Sequence, residues 1–356
     1  MPDFAAVNEA VRIAKERSGV KASGFVNALL RRLASCKASL KPPQIALKAT
    51  KPEFVRSVAL AFSFPEQLVS RWSSRLRRKE LVRLVSTLNQ APKKTIRVNV
   101  TKMTPSGLSA RLKERGFDAR ESLVCPHALR LSGKGSLEET PEWHEGLFTI
   151  QDEGAQMLSL VLEGLKPQSI ADVCAGIGQK LTHLAELFSG ASLFGSDIYL
   201  RKIKAGRRQV ERLGLKNVRY IASDLLSSPL RERSFDLVLL DAPCSGSGTI
   251  RRHPEIRWRV KPANLAKLAR LQLKMLHLCA AVVRPDGVIL YSTCSLEPEE
   301  NEQVIKKFLR RNGEFRVRPI RDLPETLRAS AGGLGMTLQP YTSDCDGMFY
   351  SVLART

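Results

Sequence analysis

Apolar residues early in the chain recur at helical spacing, roughly every 3.6 residues, over residues 4–14 and 22–33. Two amphipathic helices are expected there, ahead of a connection at Lys41-Pro-Pro. The helical period returns over residues 79–88 and 104–115, and Thr95-Ile-Arg-Val-Asn-Val reads as a short strand between them. The pattern therefore predicts a helical segment over residues 1–63 and a small α/β module over 64–147.

From residue 148 the pattern changes. Runs rich in β-formers, Ser169-Ile-Ala-Asp, Leu193-Phe-Gly-Ser-Asp, Asn217-Val-Arg-Tyr-Ile-Ala-Ser-Asp, Ser234-Phe-Asp-Leu-Val-Leu-Leu-Asp and Val288-Ile-Leu-Tyr-Ser-Thr, alternate with helical runs at 181–187 and 265–283. Strand, helix, strand implies parallel neighbours whose carboxyl ends share one edge, where open α/β sheets bind ligands. Residues 148–356 thus read as a doubly wound, mostly parallel, Rossmann-like sheet. An opening helix is expected at 152–162, a turn at Pro285-Asp-Gly, and an antiparallel last strand at 347–354.

The strand ends carry the candidate chemistry. Asp172, Asp197, Asp224 and Asp241 close four successive expected strands. After the first comes Cys174-Ala175-Gly176-Ile177-Gly178-Gln179-Lys180, a glycine-bearing turn into a helix that lets backbone amides approach a ligand. A short glycine turn is weak evidence alone; an acid one βα unit later, Asp197, placed to hold ribose hydroxyls, strengthens it. Asp224 is placed to meet an adenine edge.

Two cysteines fall at the ends of consecutive strands, in Asp241-Ala-Pro-Cys-Ser-Gly-Ser-Gly and Tyr291-Ser-Thr-Cys-Ser-Leu-Glu-Pro-Glu-Glu-Asn, so Cys244 and Cys294 should face one cleft. Most free cysteines simply pack, and Cys36, Cys125, Cys279 and Cys345 are read that way. Paired strand-end thiols beside an aspartate fit covalent attack on a pyrimidine. Methylating carbon 5 of cytosine needs a thiolate on carbon 6, a proton on N3 and a methyl donor over the ring.

With these motifs, and with Phe25-Val-Asn-Ala-Leu-Leu-Arg-Arg, Gly146-Leu-Phe-Thr-Ile-Gln-Asp-Glu-Gly-Ala-Gln, Arg251-Arg-His-Pro-Glu-Ile-Arg-Trp and Asp346-Gly-Met-Phe-Tyr, the chain resembles the RNA (cytosine-5) methyltransferases, most closely the RsmB type acting on bacterial 16S ribosomal RNA. The resemblance implies Cys294 as nucleophile, Cys244 as the residue aiding product release, and Asp241 between the cofactor's methionine end and the cytosine. It implies S-adenosyl-L-methionine held by residues 174–180, with Asp197 on the ribose and Asp224 on the adenine. It also implies that residues 1–63 are the second half of a NusB-like RNA-binding domain, the first half being absent by natural shortening or trimming, and that 64–147 form an RNA-recognition-like module. One departure stands out: the family writes Cys-Ala-Ala-Pro-Gly-Gly-Lys where this chain has Ile177 and Gln179 in place of a proline and a glycine, which puts cofactor affinity in question.

Charge agrees with a polyanionic partner, since the net charge is +22 and the pI about 10.0. Basic runs occupy residues 75–79, 201–208, 251–261 and 306–311, and Arg251, Arg252 and His253, directly after the Cys244 loop, are placed to grip phosphates or to brace that loop. Aromatic residues are only 6% of the chain, which favours backbone recognition with one extruded base over a stacking platform. Seven scattered cysteines without Cys-x-x-Cys argue against a disulfide framework and a zinc site, and no apolar run suits a membrane span. A metal-free cytoplasmic monomer acting on small-subunit ribosomal RNA is expected. Two other readings are a non-catalytic RNA-binding or ribosome-assembly protein that keeps the fold, and a DNA cytosine methyltransferase, which would lack the Thr-Cys-Ser partner.

Overall fold

The computed structural model describes residues 2–39, 43–133, 135–227, 230–321 and 323–356, so Lys41 and Pro42 of the expected connection lie outside the described residues. The chain divides into two units, Met1–Ser63 and Phe64–Thr356. In the first, the helical segment α1 (Asp3–Cys36) is broken at Gly19, φ 82° and ψ −179°, into the two helices that the spacing implies. Helix α2 (Lys51–Phe62) starts in a capping box made by Thr50 and Glu53.

The second unit opens with helices α3 (Glu66–Ser73) and α4 (Arg78–Leu88). Next come β1 (Lys94–Val98), α5 (Pro105–Glu114), β2 (Asp118–Glu121), β3 (Ala128–Ser132), α6 (Pro141–His144) and β4 (Phe148–Ile150), whose strands form an antiparallel sheet in the order β2-β3-β1-β4. Ile96, Val98, Leu108, Leu112, Leu129 and Phe148 fill its core. The opening helix expected at 152–162 is instead a 3-10 turn at Gly154–Gln156 followed by the single-turn α7 (Leu158–Val161). Asp152 accounts for the break, because its Oδ1 accepts from the amides of Gly154 and Asp346 (both 2.8 Å) and pulls the segment onto the closing loop.

The larger sheet contains β5 (Ser169–Asp172), β6 (Ser192–Asp197), β7 (Val218–Ala222), β8 (Phe235–Asp241), β9 (Val283–Thr293), β10 (Phe315–Val317), β11 (Ala331–Gly332), β12 (Gly335–Leu338) and β13 (Met348–Arg355). Its order is β11-β12-β13-β9-β8-β5-β6-β7, with β10 also on β13; β7, β6, β5, β8 and β9 run parallel, and β13 is antiparallel to β9. The expected turn at Pro285-Asp-Gly is absorbed into β9, where Asp286 takes φ 60° and the register against β8 shifts. Strand β7 stops at Ala222, so Asp224 lies in the loop beyond it.

Alternation along the strands decides the layers. Ile170, Leu237, Leu239 and Leu290 face α8 (Gln179–Leu187) and α9 (Leu200–Leu213), while Ala171, Val238, Leu240 and Ile289 face α10 (Pro262–Val282) and α11 (Glu302–Leu309). Both faces are covered, which is why these strands read as continuous apolar runs.

Buried polar groups lock the small sheet onto the large one. Arg97 on β1, fully buried, donates to both Glu186 oxygens (2.8 and 2.9 Å), to Thr182 Oγ1 (2.9 Å) and to the Gln179 carbonyl (2.7 Å). Asn99 donates to the carbonyls of Gly146 and Leu213 at 3.0 and 3.1 Å. Gly146 has φ 70°, and a Cβ there would meet the Arg212 carbonyl at 2.0 Å.

His183 on α8 is fully buried beside Arg97 and His127, and burial holds its pKa well below the usual 6.5. The unfolded chain therefore takes this proton first, so stability is complete above about pH 6.5 and is lost as pH falls. His183→Leu should flatten the acid limb of a denaturant-unfolding series by about 1.4 kcal/mol per pH unit; an unchanged limb means another group sets it.

Candidate active site

The order of the parallel strands reverses at β5, which has β6 on one side and β8 on the other, and the crevice outside such a reversal is where open sheets bind ligands. Between their carboxyl ends lies a cavity of about 630 Å³. Of the expected residues, Cys174, Ala175, Gly176, Ile177, Gln179, Lys180, Asp197, Asp224, Asp241, Cys244 and Cys294 all line it. Gly178 stands behind, where its φ of 83° starts α8 and a Cβ would meet Tyr220 Oη at 1.9 Å. Gly178→Ala is expected to cost about 1–3 kcal/mol of stability, measurable by urea unfolding; an equally stable variant would show that Tyr220 moves aside.

The loop meets its acid directly. Asp197 Oδ2 accepts from the Gly176 amide at 3.0 Å and Oδ1 from the Tyr199 amide at 2.9 Å. Gly176, at φ 56°, faces open space, and apolar Ile198, Leu226, Leu271 and Met275 line the same cavity. Positive φ is needed at Gly176 and Gly178, both glycines, and not at Gln179, which is the first helical residue and donates to the Ile150 carbonyl (3.2 Å). The departure from the family loop thus falls where a side chain fits. Asp172, fully buried at the floor, has its carboxyl pushed up to about 8 by burial and then by Asp241.

Asp241 Oδ1 accepts from Lys180 Nζ at 2.6 Å and Ser292 Oγ at 2.8 Å. The strand ends bring Cys244 Sγ within 3.2 Å of Cys294 Sγ. Hydrogen bonding to Cys294, followed by burial, raises the Cys244 thiol well above its usual range. Glu300, fully buried, ties the two cysteine loops together. Its Oε1 accepts from the Ser245 amide (2.8 Å) and Gln272 (3.0 Å), and its Oε2 from the hydroxyls of Ser245 and Ser295 (both 2.5 Å). Glu297 accepts from Trp72 Nε1 at 2.9 Å and pairs with Arg71 and Arg75, so α3 clamps the Cys294 loop from outside. In the sequence these glutamates read only as flanking residues of the Cys294 motif. The signal was there in the acidic string after Cys294, which is hard to bury unless each carboxylate has donors.

A second cavity, about 780 Å³, adjoins the first and shares Gln151, Gln179, Lys180 and Cys294 with it; Lys93, Lys94, Arg252 and His253 also line it. Arg251 does not reach it. Its side chain is 1% exposed and its guanidinium is held by Asp346 (2.9 Å), Asp152 (3.5 Å) and Asp344 (3.5 Å), which corrects the expectation of a phosphate grip. Arg252 also pairs with Asp152 and Asp346, both at 2.6 Å, but stays 30% exposed, while His253 is 60% exposed. The buried aspartates need these cations, since burial and then Asp152 push the Asp346 carboxyl up. Cys125, Cys279 and Cys345 are buried and Cys36 exposed, all outside the cavities. Among the described residues no group of three or more His, Cys, Asp or Glu is placed to hold a metal, and no helix is long and apolar enough to cross a membrane.

A switch-point cavity with a glycine loop, a strand-end acid and apolar walls fits an adenosyl group, and with this sheet it defines an S-adenosylmethionine-dependent methyltransferase. Residues 159–354 match the family described as 16S rRNA methyltransferase RsmB/F, and the chain belongs to that family. Residues 64–138 match its ferredoxin-like domain and residues 1–35 the NusB family. The chain is 32% identical over 356 residues to the ribosomal RNA small subunit methyltransferase B of Salmonella paratyphi A, covering 100% of this chain and 78% of that protein. It is 31% identical over 360 residues to a Synechocystis protein named "Probable ribosomal RNA small subunit methyltransferase B", covering 100% and 79%. The crystal structure of a methyltransferase homolog protein from Pyrococcus horikoshii superposes with a TM-score of 0.72 at 26% identity, over 85% of this chain and 99% of that one. The protein is thus an S-adenosylmethionine-dependent ribosomal RNA methyltransferase of the RsmB/F type.

Proposed function

We propose that the protein methylates carbon 5 of a cytosine in 16S ribosomal RNA through a covalent adduct on Cys294. The observation that carries this reading is the pair of thiols 3.2 Å apart, with Cys294 lining both cavities. S-adenosylmethionine supplies an electrophilic methyl group, bound in the first cavity by residues 174–180, Asp197 and Asp224, while the target base enters from the second.

The chain's own side chains do the rest. The Cys294 thiolate, its proton passing through solvent to N3, adds to carbon 6, and carbon 5 of the resulting enamine would take the methyl group as its bond to the cofactor's sulfonium sulfur breaks, leaving S-adenosylhomocysteine. Asp241, held by Lys180 and Ser292, stabilises the proton gained at N3. Cys244 is kept as a thiol by its hydrogen bond to Cys294. Once Cys294 is bonded to carbon that hydrogen bond is lost, although burial still holds the Cys244 thiol up, so Cys244 ionises more readily when the carbon 5 proton must leave. The Cys244 thiolate takes that proton, Cys294 leaves carbon 6 as a thiolate and regains the N3 proton through solvent, and the aromatic ring is restored.

The test is incubation with labelled S-adenosylmethionine and unmodified 16S RNA, followed by mapping of 5-methylcytosine. Label at any other position or atom would overturn the reading. Within it, Asp197→Ala should raise the dissociation constant for S-adenosylmethionine roughly tenfold to a hundredfold, the cost of a lost hydrogen bond to a charged group. Calorimetry showing no change would place the ribose elsewhere.

A further inference from the structure

Helix α9 presents a row of exposed positive charge beside the site. Its buried side is Ile203, Gly206, Val210 and Leu213, and a helical projection puts Arg201, Lys204 and Arg208 on the opposite, exposed side. Among the described residues none of these three forms an ion pair, unlike Arg12 on α1, which pairs with Glu9 and Glu16. Like charges three and four residues apart on a helix repel, so the folded protein carries a repulsion that an anion would relieve.

The helix is also rigidly placed. At its start, the Asp197-Ile-Tyr turn borders the first cavity, and the Lys202 ammonium sits 4.8 Å from the Tyr199 ring centroid. At its end, the Arg212 guanidinium stacks 3.6 Å from the Trp143 ring centroid and donates to the Phe148 carbonyl at 3.1 Å. In the middle, Gly206 lets the helix settle on Tyr220, where a Cβ would meet the hydroxyl at 2.4 Å. A fixed cationic ridge about 10 Å long from Arg201 to Arg208 leads away from the mouth of the cavity.

We propose that the outward face of α9 is a second RNA-binding surface, gripping the phosphodiester backbone of the substrate at a distance from the target base. This rests on the reading of RNA as substrate. The partner is identified by charge and rigidity: three cations from Arg201 to Arg208, with the lone carboxylate of that face, Glu211, only beyond their end and no pocket between them, suit a polyanionic strand.

The test is the salt dependence of 16S RNA binding by the full chain carrying Arg201→Gln, Lys204→Gln and Arg208→Gln. The control carries Lys267→Gln, Arg270→Gln and Lys274→Gln, exposed on α10 across the sheet. At roughly 0.7 per phosphate contact, the α9 variant should flatten the log–log slope by about 2 and weaken binding on the order of a hundredfold at 0.1 M salt. KM for RNA should rise, with kcat at saturating RNA and S-adenosylmethionine affinity unchanged. A slope equal to the parent's, or a loss no larger than the α10 control's, overturns the proposal, because binding would then follow net charge and not this face. A parent that binds RNA but transfers no methyl group refutes the reaction and leaves the slope comparison to decide the surface.

Discussion

Cys294→Ala is expected to lower methyl transfer to RNA by three orders of magnitude or more, on the order of 4 kcal/mol of transition-state stabilisation, while S-adenosylmethionine still binds. In the proposed mechanism the thiol bonds only to the base, so its removal abolishes the addition step and leaves the cofactor loop, residues 174–180, intact. Cys244→Ala should behave differently. Its partner can still add to carbon 6, but the group best placed to take the carbon 5 proton, 3.2 Å from Cys294 Sγ, is gone. Methylated RNA should then accumulate bonded to Cys294, visible as a denaturation-resistant band after electrophoresis. Full activity in the Cys294 variant removes the covalent mechanism; normal turnover without a band in the Cys244 variant removes that residue from it.

Arg97→Met should be the most destabilising single change in the second unit. It leaves Glu186 buried without its paired cation, a situation that costs roughly 3–5 kcal/mol, and burial already pushes that carboxyl up. Arg97→Met combined with Glu186→Leu should recover most of the loss, because replacing both partners removes the stranded charge. Urea unfolding of the two single variants and the double variant checks this, and additive losses would mean that the ion pair is not the coupling. Because Arg97 also donates to the Gln179 carbonyl at the start of α8, the single variant should bind S-adenosylmethionine more weakly as well.

The division of labour between sequence and fold follows from the range over which each interaction acts. Periodicity and turn residues are local. They placed β5 to β9 and β13 of the large sheet within a few residues, though not β10 to β12, and set Asp172, Asp197 and Asp241 at strand ends. The motif text likewise carried the cysteines, since a thiol at a strand end after Asp-Ala-Pro is a local arrangement.

What the sequence alone left open depended on partners far along the chain. Whether Arg251 meets phosphate or braces the loop was undecidable until Asp152, Asp344 and Asp346 arrived around it. The opening helix failed because Asp152 is bonded to the Asp346 amide, and no local propensity reports a contact across that separation. Arg97 reads as one more surface cation in a basic chain, yet it is fully buried because Glu186, on helix α8, compensates it. Glu300 looks like part of an exposed acidic run and is instead the hinge-pin between Ser245 and Ser295. Burial of a charge is a tertiary decision, since desolvation must be offset by donors that only the folded chain assembles. The sequence therefore determined which residues could do chemistry, and the tertiary structure decided which charges face the substrate and which hold the site in shape.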